Sequence, residues 1–198
     1  MEVEDPAAWP EDVPPHRIAP VAPEDRSPET DELLESLRLS PDRPVANIFT
    51  TLAHHPRLLR RWSAFGGILL FRGELADRDR ELLILRTAWN CRSHYEWSHH
   101  VTMGRHAGLS DEEIARIRQE PVAGAWPTGD ALLLRAADEL HRDNRIGDTT
   151  WSELAEHYSS AQLIEICMVV GQYHLVGFTL NSLGVQLEPV SEDPLDSS

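Results

Sequence analysis

The chain has 198 residues, 41% of them hydrophobic, with 33 acidic side chains against 18 basic ones and a formal charge of −15. That length suits one domain with an appendage, and the charge excludes a protein that neutralises nucleic-acid phosphates through a basic face. Every basic residue is Arg, so a Schiff-base lysine, a P-loop lysine and a lysine general base are excluded as well.

The charge is unevenly placed. Residues 1–43 hold twelve acids and four Arg, and nine of the prolines fall between Pro6 and Pro44. A segment so acidic and Pro-rich lacks the apolar surface to fold alone. We read 1–44 as an arm suited to lying over a neighbouring subunit, with one short helix at about Glu29–Leu39. Residues 189–198 form an acidic tail. Between them, 44–188 is close to neutral, with 18 acids and 14 Arg. The N-terminus has no apolar signal region, and apolar runs such as Gly66–Phe71 and Ile166–Gly171 are far shorter than a bilayer span. A cytoplasmic protein without a membrane partner is expected.

From residue 45 the pattern is helical. Val45–His54 and Pro56–Leu70 form a helix pair split at His55-Pro56, because proline disfavours α geometry in the residue before it. Asp77–Trp89 places Leu82, Leu83, Leu85, Ala88 and Trp89 at helical spacing behind an acidic first turn. A helix from about Arg92 to His106 stops at Ala107-Gly108-Leu109, where Gly supplies a left-handed cap. Ser110 with Glu113 reads as a capping box opening a helix to about Gln119. Beyond a loop at Pro121–Pro127, helices are expected at about Gly129–Arg142, Thr150–His157 and Ser160–Leu183. The last ends at Leu183-Gly184-Val185, echoing the earlier stop as a diverged duplication would. No period-two runs compete, so the predicted fold class is all-α.

Chemistry concentrates between Glu81 and His106. At 100° per residue, Ser93, Glu96, His100 and Met103 share one helix face, whereas Tyr95, His99, Thr102 and His106 occupy another. Glu96 and His100 are an i,i+4 pair, a spacing at which a carboxylate can orient an imidazole or share a proton with it. Trp97 and Met103 accompany them, so the pair points toward packed surface, where burial shifts pKa values toward those useful in proton transfer. His94, His99, His100 and His106 lie close in sequence, but no HExxH or 2-His-1-carboxylate spacing appears, and no metal is assigned. Cys91 and Cys167 lack CxxC spacing and read as ordinary buried thiols. Tyr173 and His174 form a polar pair in an otherwise apolar helix.

The run Arg80-Glu81-Leu82-Leu83-Ile84-Leu85-Arg86, then Tyr95-Glu96-Trp97-x-x-His100, then Ala107-Gly108-Leu109-Ser110-Asp111-Glu112-Glu113-Ile114, resembles the carboxymuconolactone decarboxylase family, which shares its fold with the alkylhydroperoxidase AhpD. The resemblance covers roughly 45–188. It implies an AhpD-like helical bundle that assembles as a homo-oligomer, a dimer, trimer or hexamer, with sites between packed helices. In the peroxidase branch the working residues are a Glu on one helix and Cys-x-x-Cys-x-x-x-His on the next. Aligned on the histidine, these fall on Glu81, Ser93, Glu96 and His100, so neither cysteine position carries a thiol.

The resemblance therefore implies the non-thiol branch, a carboxy-lyase that works without cofactor on a carboxylated lactone or related small carboxylate acid. Glu96 and His100 are expected to deliver or relay the proton, and Glu81 to orient His100. Arg86 or Arg92 is the candidate holder of a substrate carboxylate, and Tyr95 and Trp97 are candidate pocket walls. Two alternatives stand beside it. One is a thiol-dependent alkylhydroperoxidase acting through Cys91, for which no resolving cysteine is adjacent. The other is a non-enzymatic ligand-binding or assembly module in which Glu81 and His100 are only a buried pair.

Overall fold

The computed structural model describes residues 9, 15–41, 43–119 and 126–188. The predicted tail at 189–198, most of the predicted loop at 121–127 and much of the arm before residue 15 lie outside the described residues. Those described contain nine α-helices and no strand. They are α1 (Pro28–Ser36), α2 (Asn47–Leu52), α3 (Pro56–Phe71), α4 (Asp77–Asn90), α5 (His94–His106), α6 (Asp111–Ile117), α7 (Thr128–Asp143), α8 (Asp148–Ala155) and α9 (Ser160–Leu183).

The centre of the bundle is α4, which packs against α5, α7 and α9. Leu82, Leu83, Ile84 and Leu85 are all fully buried, so this helix is wrapped on every side. That explains why the run reads as continuously apolar instead of striped. Its polar residues must then find partners inside. Arg86 does so with a two-pronged bond, Nε to Asp138 Oδ1 at 2.6 Å and Nη2 to Oδ2 at 3.0 Å, while Nη1 donates to the Ile117 carbonyl at 2.6 Å. One side chain thus ties α4 to α7 and to the end of α6.

Helix ends follow local chemistry. Pro56 opens α3 at its first turn, and the His55 ring accepts from Leu58 N–H. Ser110 and Glu113 make the reciprocal capping box on α6, and Ser159 with Gln162 makes a second one on α9. Gly108 and Gly184 both adopt positive φ, as predicted for the two helix stops. Two starts differ from expectation. The helix predicted from Arg92 begins at His94, because Arg92 takes φ 52° and Ser93 N–H bonds back to the Ala88 carbonyl at 2.9 Å. This is a Schellman ending for α4 with Arg where Gly is usual. The helix expected from Thr150 begins at Asp148, and Thr150 is no cap, since its hydroxyl donates to Glu139 at 2.7 Å.

The described part of the arm lies on its own body. Ser27 caps α1 with Pro28 behind it. Val21, Leu33 and Leu34 pack with Ala53 and Leu59, and Val21 N–H donates to the Thr50 carbonyl. Arg17 and Ile18 N–H groups both reach the Leu183 carbonyl. Trp9 stacks among Trp89, His94 and Trp97.

By length and composition alone α9 could cross a bilayer, yet half of its apolar window is buried inside the protein. The remainder forms an exposed stripe of Ile164, Met168, Leu175 and Phe178, and Phe65, Ile68 and Phe71 are exposed on α3.

Candidate active site

A cavity of about 290 Å³ opens between α2, α3, α5 and α9. Its polar interior comes from Tyr95, Glu96, His99 and His100 on α5 with Gln172 and Tyr173 on α9, and its apolar walls include Phe49, Trp62 and Val176. Gly66 and Gly67 of α3 line one side, with open space beside Gly67.

His100 is nearly buried, and its Nδ1 lies 2.7 Å from Glu81 Oε2. Glu81, fully buried on α4, stands behind the imidazole and not in the cavity wall; its other oxygen lies 3.4 Å from both Nε and Nη2 of Arg80. The Tyr173 ring meets His100 edge-on, with centroids 5.0 Å apart. Held on two sides, His100 has Nε2 left to present to the cavity. A buried carboxylate that accepts from one ring nitrogen fixes the tautomer and the plane of the ring.

Glu96 is in a different position. Only 3% of it is exposed, and neither carboxylate oxygen has a hydrogen-bond partner. Burial without compensation pushes its carboxyl well above the usual carboxylate range, which favours the protonated acid. The i,i+4 spacing does place Glu96 and His100 on one cavity, but no hydrogen bond joins them; the carboxylate that orients the imidazole is Glu81. The Ser93 hydroxyl, one turn before Glu96, is also fully buried and unpartnered. Glu96 lines the cavity with both oxygens unpartnered, so a ligand's polar atoms would find a partner there, whereas Ser93 does not line the cavity.

The other candidates separate. Tyr95 lines the cavity, donating to Glu188 Oε1 at 2.6 Å and accepting from Ile48 N–H at 3.3 Å. Trp97 is wholly buried in an aromatic cluster with Trp89 and does not reach the cavity. Arg86 is occupied by Asp138 and backbone carbonyls, and Arg92 sits exposed in the α4–α5 turn; neither lines the cavity. Both therefore fail as carboxylate holders, because a buried structural pair and a solvent-facing turn residue cannot reach the pocket. Cys91, nearly buried beneath α9, has its thiol pushed up to about 12 by desolvation and by Glu96. A thiol so strongly protonated is a poor nucleophile toward a hydroperoxide.

Two contributors escaped the sequence reading. Glu188, just before the tail, accepts from Asn47 N–H at 2.6 Å and from Tyr95, and lies 2.9 Å from His99 Nε2. These donors lower its carboxyl to about 2 despite burial. Gly177 is the second. A Cβ there would lie 3.0 Å from Cys91 Cβ and 3.5 Å from both Glu96 Oε2 and Ser93 Cβ, so only glycine lets α9 close over the start of α5. A glycine inside an apolar helix was the available signal.

With the geometry in place, comparison with known proteins defines the class. Residues 56–139 match the model of the carboxymuconolactone decarboxylase family, and the fold is AhpD-like. A peroxidase-related protein with an alkylhydroperoxidase AhpD core from Ralstonia eutropha JMP134 is 17% identical, with 88% of this chain and 93% of that one covered at a TM-score of 0.77. A peroxidase-related protein from Silicibacter sp. TM1040 is 13% identical over 88% and 94% at 0.74. The debrominase Bmp8, as a variant in complex with 2,3,4-tribromopyrrole, is 14% identical over 89% and 94% at 0.68. No curated protein matches the sequence.

Proposed function

We propose that the chain is an acid–base enzyme of carboxy-lyase type that acts on a carboxylated lactone or related small acid, with no cofactor in the proton-transfer step. The observation that carries this reading is the pairing of a buried, unpartnered Glu96, its carboxyl raised by desolvation, with a carboxylate-oriented His100 on one cavity. A carboxylic acid kept neutral by burial is a ready proton donor, and an imidazole whose Nδ1–H is fixed on Glu81 offers Nε2 as a proton acceptor.

In this mechanism His100 Nε2, the acceptor end of the imidazole, takes the proton of the substrate's carboxyl group as it binds, the N–H so formed holds the carboxylate or the adjacent carbonyl, and the apolar walls leave the substrate charge poorly solvated. The bond to the departing carboxylate breaks, carbon dioxide leaves, and the electron pair moves into the unsaturated carbonyl to give a dienolate. Glu96 then delivers its proton to the carbon, and the resulting carboxylate regains a proton from water. Glu81 and Tyr173 are positioning residues that hold the imidazole. Arg86 and Arg92 are remote, and Arg38, the guanidinium on the cavity lining, is paired with Glu35 at 2.8 Å, so the substrate this cavity suits is an acid with an apolar body and a single charge.

A second copy of the chain is the proposed partner. The exposed apolar stripe on α9 and the exposed phenylalanines of α3, with Phe71 on the cavity rim, form a face suited to self-association.

The test is carbon dioxide release from a panel of carboxylated lactones and β-keto acids. Glu96→Gln and His100→Gln are each expected to reduce turnover by about 10²–10⁴-fold. Turnover that survives both changes, with the fold intact, refutes the proposal. Sedimentation should give a mass above one chain.

A further inference from the structure

Outside the cavity, three side chains capable of binding a metal converge from three helices. Cys91 ends α4, His141 lies in the last turn of α7, and His174 lies in the middle of α9. One ligand atom from each lies within 4.8 Å of the others. His141 Nδ1 and His174 Nε2 are 2.8 Å apart, and the rings stack with centroids 5.1 Å apart. None of the three lines the cavity.

We propose that Cys91, His141 and His174 form a binding site for a Zn²⁺-class divalent ion. One thiol and two imidazoles make a borderline-soft donor set, suited to Zn²⁺ and unsuited to Mg²⁺ or Ca²⁺, which take oxygen. Three protein ligands leave a fourth tetrahedral position for water or an exogenous ligand.

The orientation of His174 is the second observation. Its Nδ1 lies 2.8 Å from the Val170 carbonyl oxygen, and a carbonyl can only accept. Nδ1 therefore carries the proton, and Nε2 turns its lone pair toward His141 and Cys91. Fixing one ring nitrogen on a backbone carbonyl so that the other faces the metal is the usual outer-shell arrangement of a ligating histidine. In a tetrahedral Zn²⁺ site, donor atoms stand roughly 3.3–3.6 Å apart, given bonds of about 2.0–2.3 Å. The two imidazoles need open by only about half an ångström, and the thiol close by about one, within the reach of side-chain rotation. Cys91 is held as a thiol in the free protein, so binding must release its proton. An ion here would join the ends of α4 and α7 to α9, three helices that already pack together.

The experiment uses the full chain, stripped with chelator and desalted, and titrated with Co²⁺ and then Zn²⁺. One Co²⁺ per chain is expected to give a thiolate-to-cobalt charge-transfer band in the near ultraviolet with intense tetrahedral bands in the visible, and Zn²⁺ should displace both. Loss of an outer-shell partner commonly weakens metal binding 10–100-fold. Cys91→Ser and His174→Gln, which remove ligands, should therefore weaken Zn²⁺ binding by about 100-fold or more, whereas His106→Gln, an exposed histidine elsewhere, should not. A readout on the unaltered chain guards against variants that fail to fold: Zn²⁺ should slow alkylation of Cys91, followed by mass spectrometry, and the exposed change His141→Gln should remove that protection. No thiolate band with Co²⁺, or alkylation of Cys91 unaffected by Zn²⁺, overturns the proposal. Equal Zn²⁺ affinity in the folded Cys91→Ser chain does so as well.

Discussion

Glu96→Gln offers a direct test of the proton held in the cavity. The two side chains have nearly the same shape, so the substitution leaves packing intact and removes only the titration. In the unfolded chain Glu96 ionises near its ordinary value of 4.5, whereas in the folded protein burial without a partner keeps it protonated well above that. Above pH 4.5 the folded state therefore binds more protons at this site than the unfolded state, and stability falls as pH rises. The slope is about 1.4 kcal/mol per pH unit for as long as the folded carboxyl keeps its proton. Over the range between 4.5 and the folded pKa the wild-type chain should therefore lose stability steadily relative to the glutamine variant. Every other titrating group is common to both proteins and cancels in the difference. Urea unfolding of the two proteins in parallel at several pH values measures it. A stability difference that stays flat from pH 5 to 7 would show that Glu96 ionises in the fold as it does in water, and the proton-donor role would fall with it.

Three further outcomes follow from the geometry. Gly177→Ala sets a methyl 3.0 Å from Cys91 Cβ, between α9 and the start of α5, and should cost about 1–3 kcal/mol, read as a lower thermal midpoint; an unchanged midpoint refutes the close contact. Arg86→Met strands Asp138 and two carbonyls inside the bundle and should cost about 3 kcal/mol in denaturant unfolding, while KM of the folded enzyme stays unchanged because Arg86 is remote from the cavity. A raised KM would return Arg86 to substrate binding. Glu188 has its folded pKa lowered to about 2, so its contribution is present above about 4.5 and is lost as pH falls toward 2. Glu188→Gln should accordingly flatten the acid side of the stability profile, and an acid limb identical to wild type counts against the Tyr95–Glu188–His99 cluster.

Helix identity was legible because periodicity, prolines and glycine stops are local signals. The two starts that moved show the limit of locality. Arg92 takes a left-handed conformation that glycine would have announced, and Thr150 looks like a cap but is drawn to Glu139, eleven residues away. The same limit governs the site. Glu96 and His100 could be placed on one face from spacing, and resemblance suggested Glu81 behind His100. Spacing could not show that His100 bonds to α4 and leaves Glu96 without a partner. Arg86 looked available because its partner, Asp138, is 52 residues away, and Glu188, at the end of the predicted domain, gave no signal because Tyr95 is 93 residues away. Pairings across such distances are set by helix packing, which no short pattern encodes.

The contrast between the two buried glutamates carries the chemical logic. Both sit in the dry centre of the bundle, on adjacent helices, and both would be costly to bury as bare charges. Glu81 has Arg80 and His100 within 3.4 Å, so its surroundings supply positive charge and a hydrogen-bond donor. Glu96 has neither, and Arg86, the fully buried guanidinium of the same helix as Glu81, is committed to Asp138 on the far side of α4. Had Arg86 turned toward Glu96, the carboxyl would have been held ionised and could not have given up a proton. The bundle thus separates two roles using one residue type: a partnered carboxylate that aims the imidazole, and an unpartnered acid that keeps its proton in the cavity. Gly177 completes the arrangement, because a side chain there would meet Cys91 Cβ at 3.0 Å and Glu96 Oε2 at 3.5 Å, where α9 closes over the start of α5.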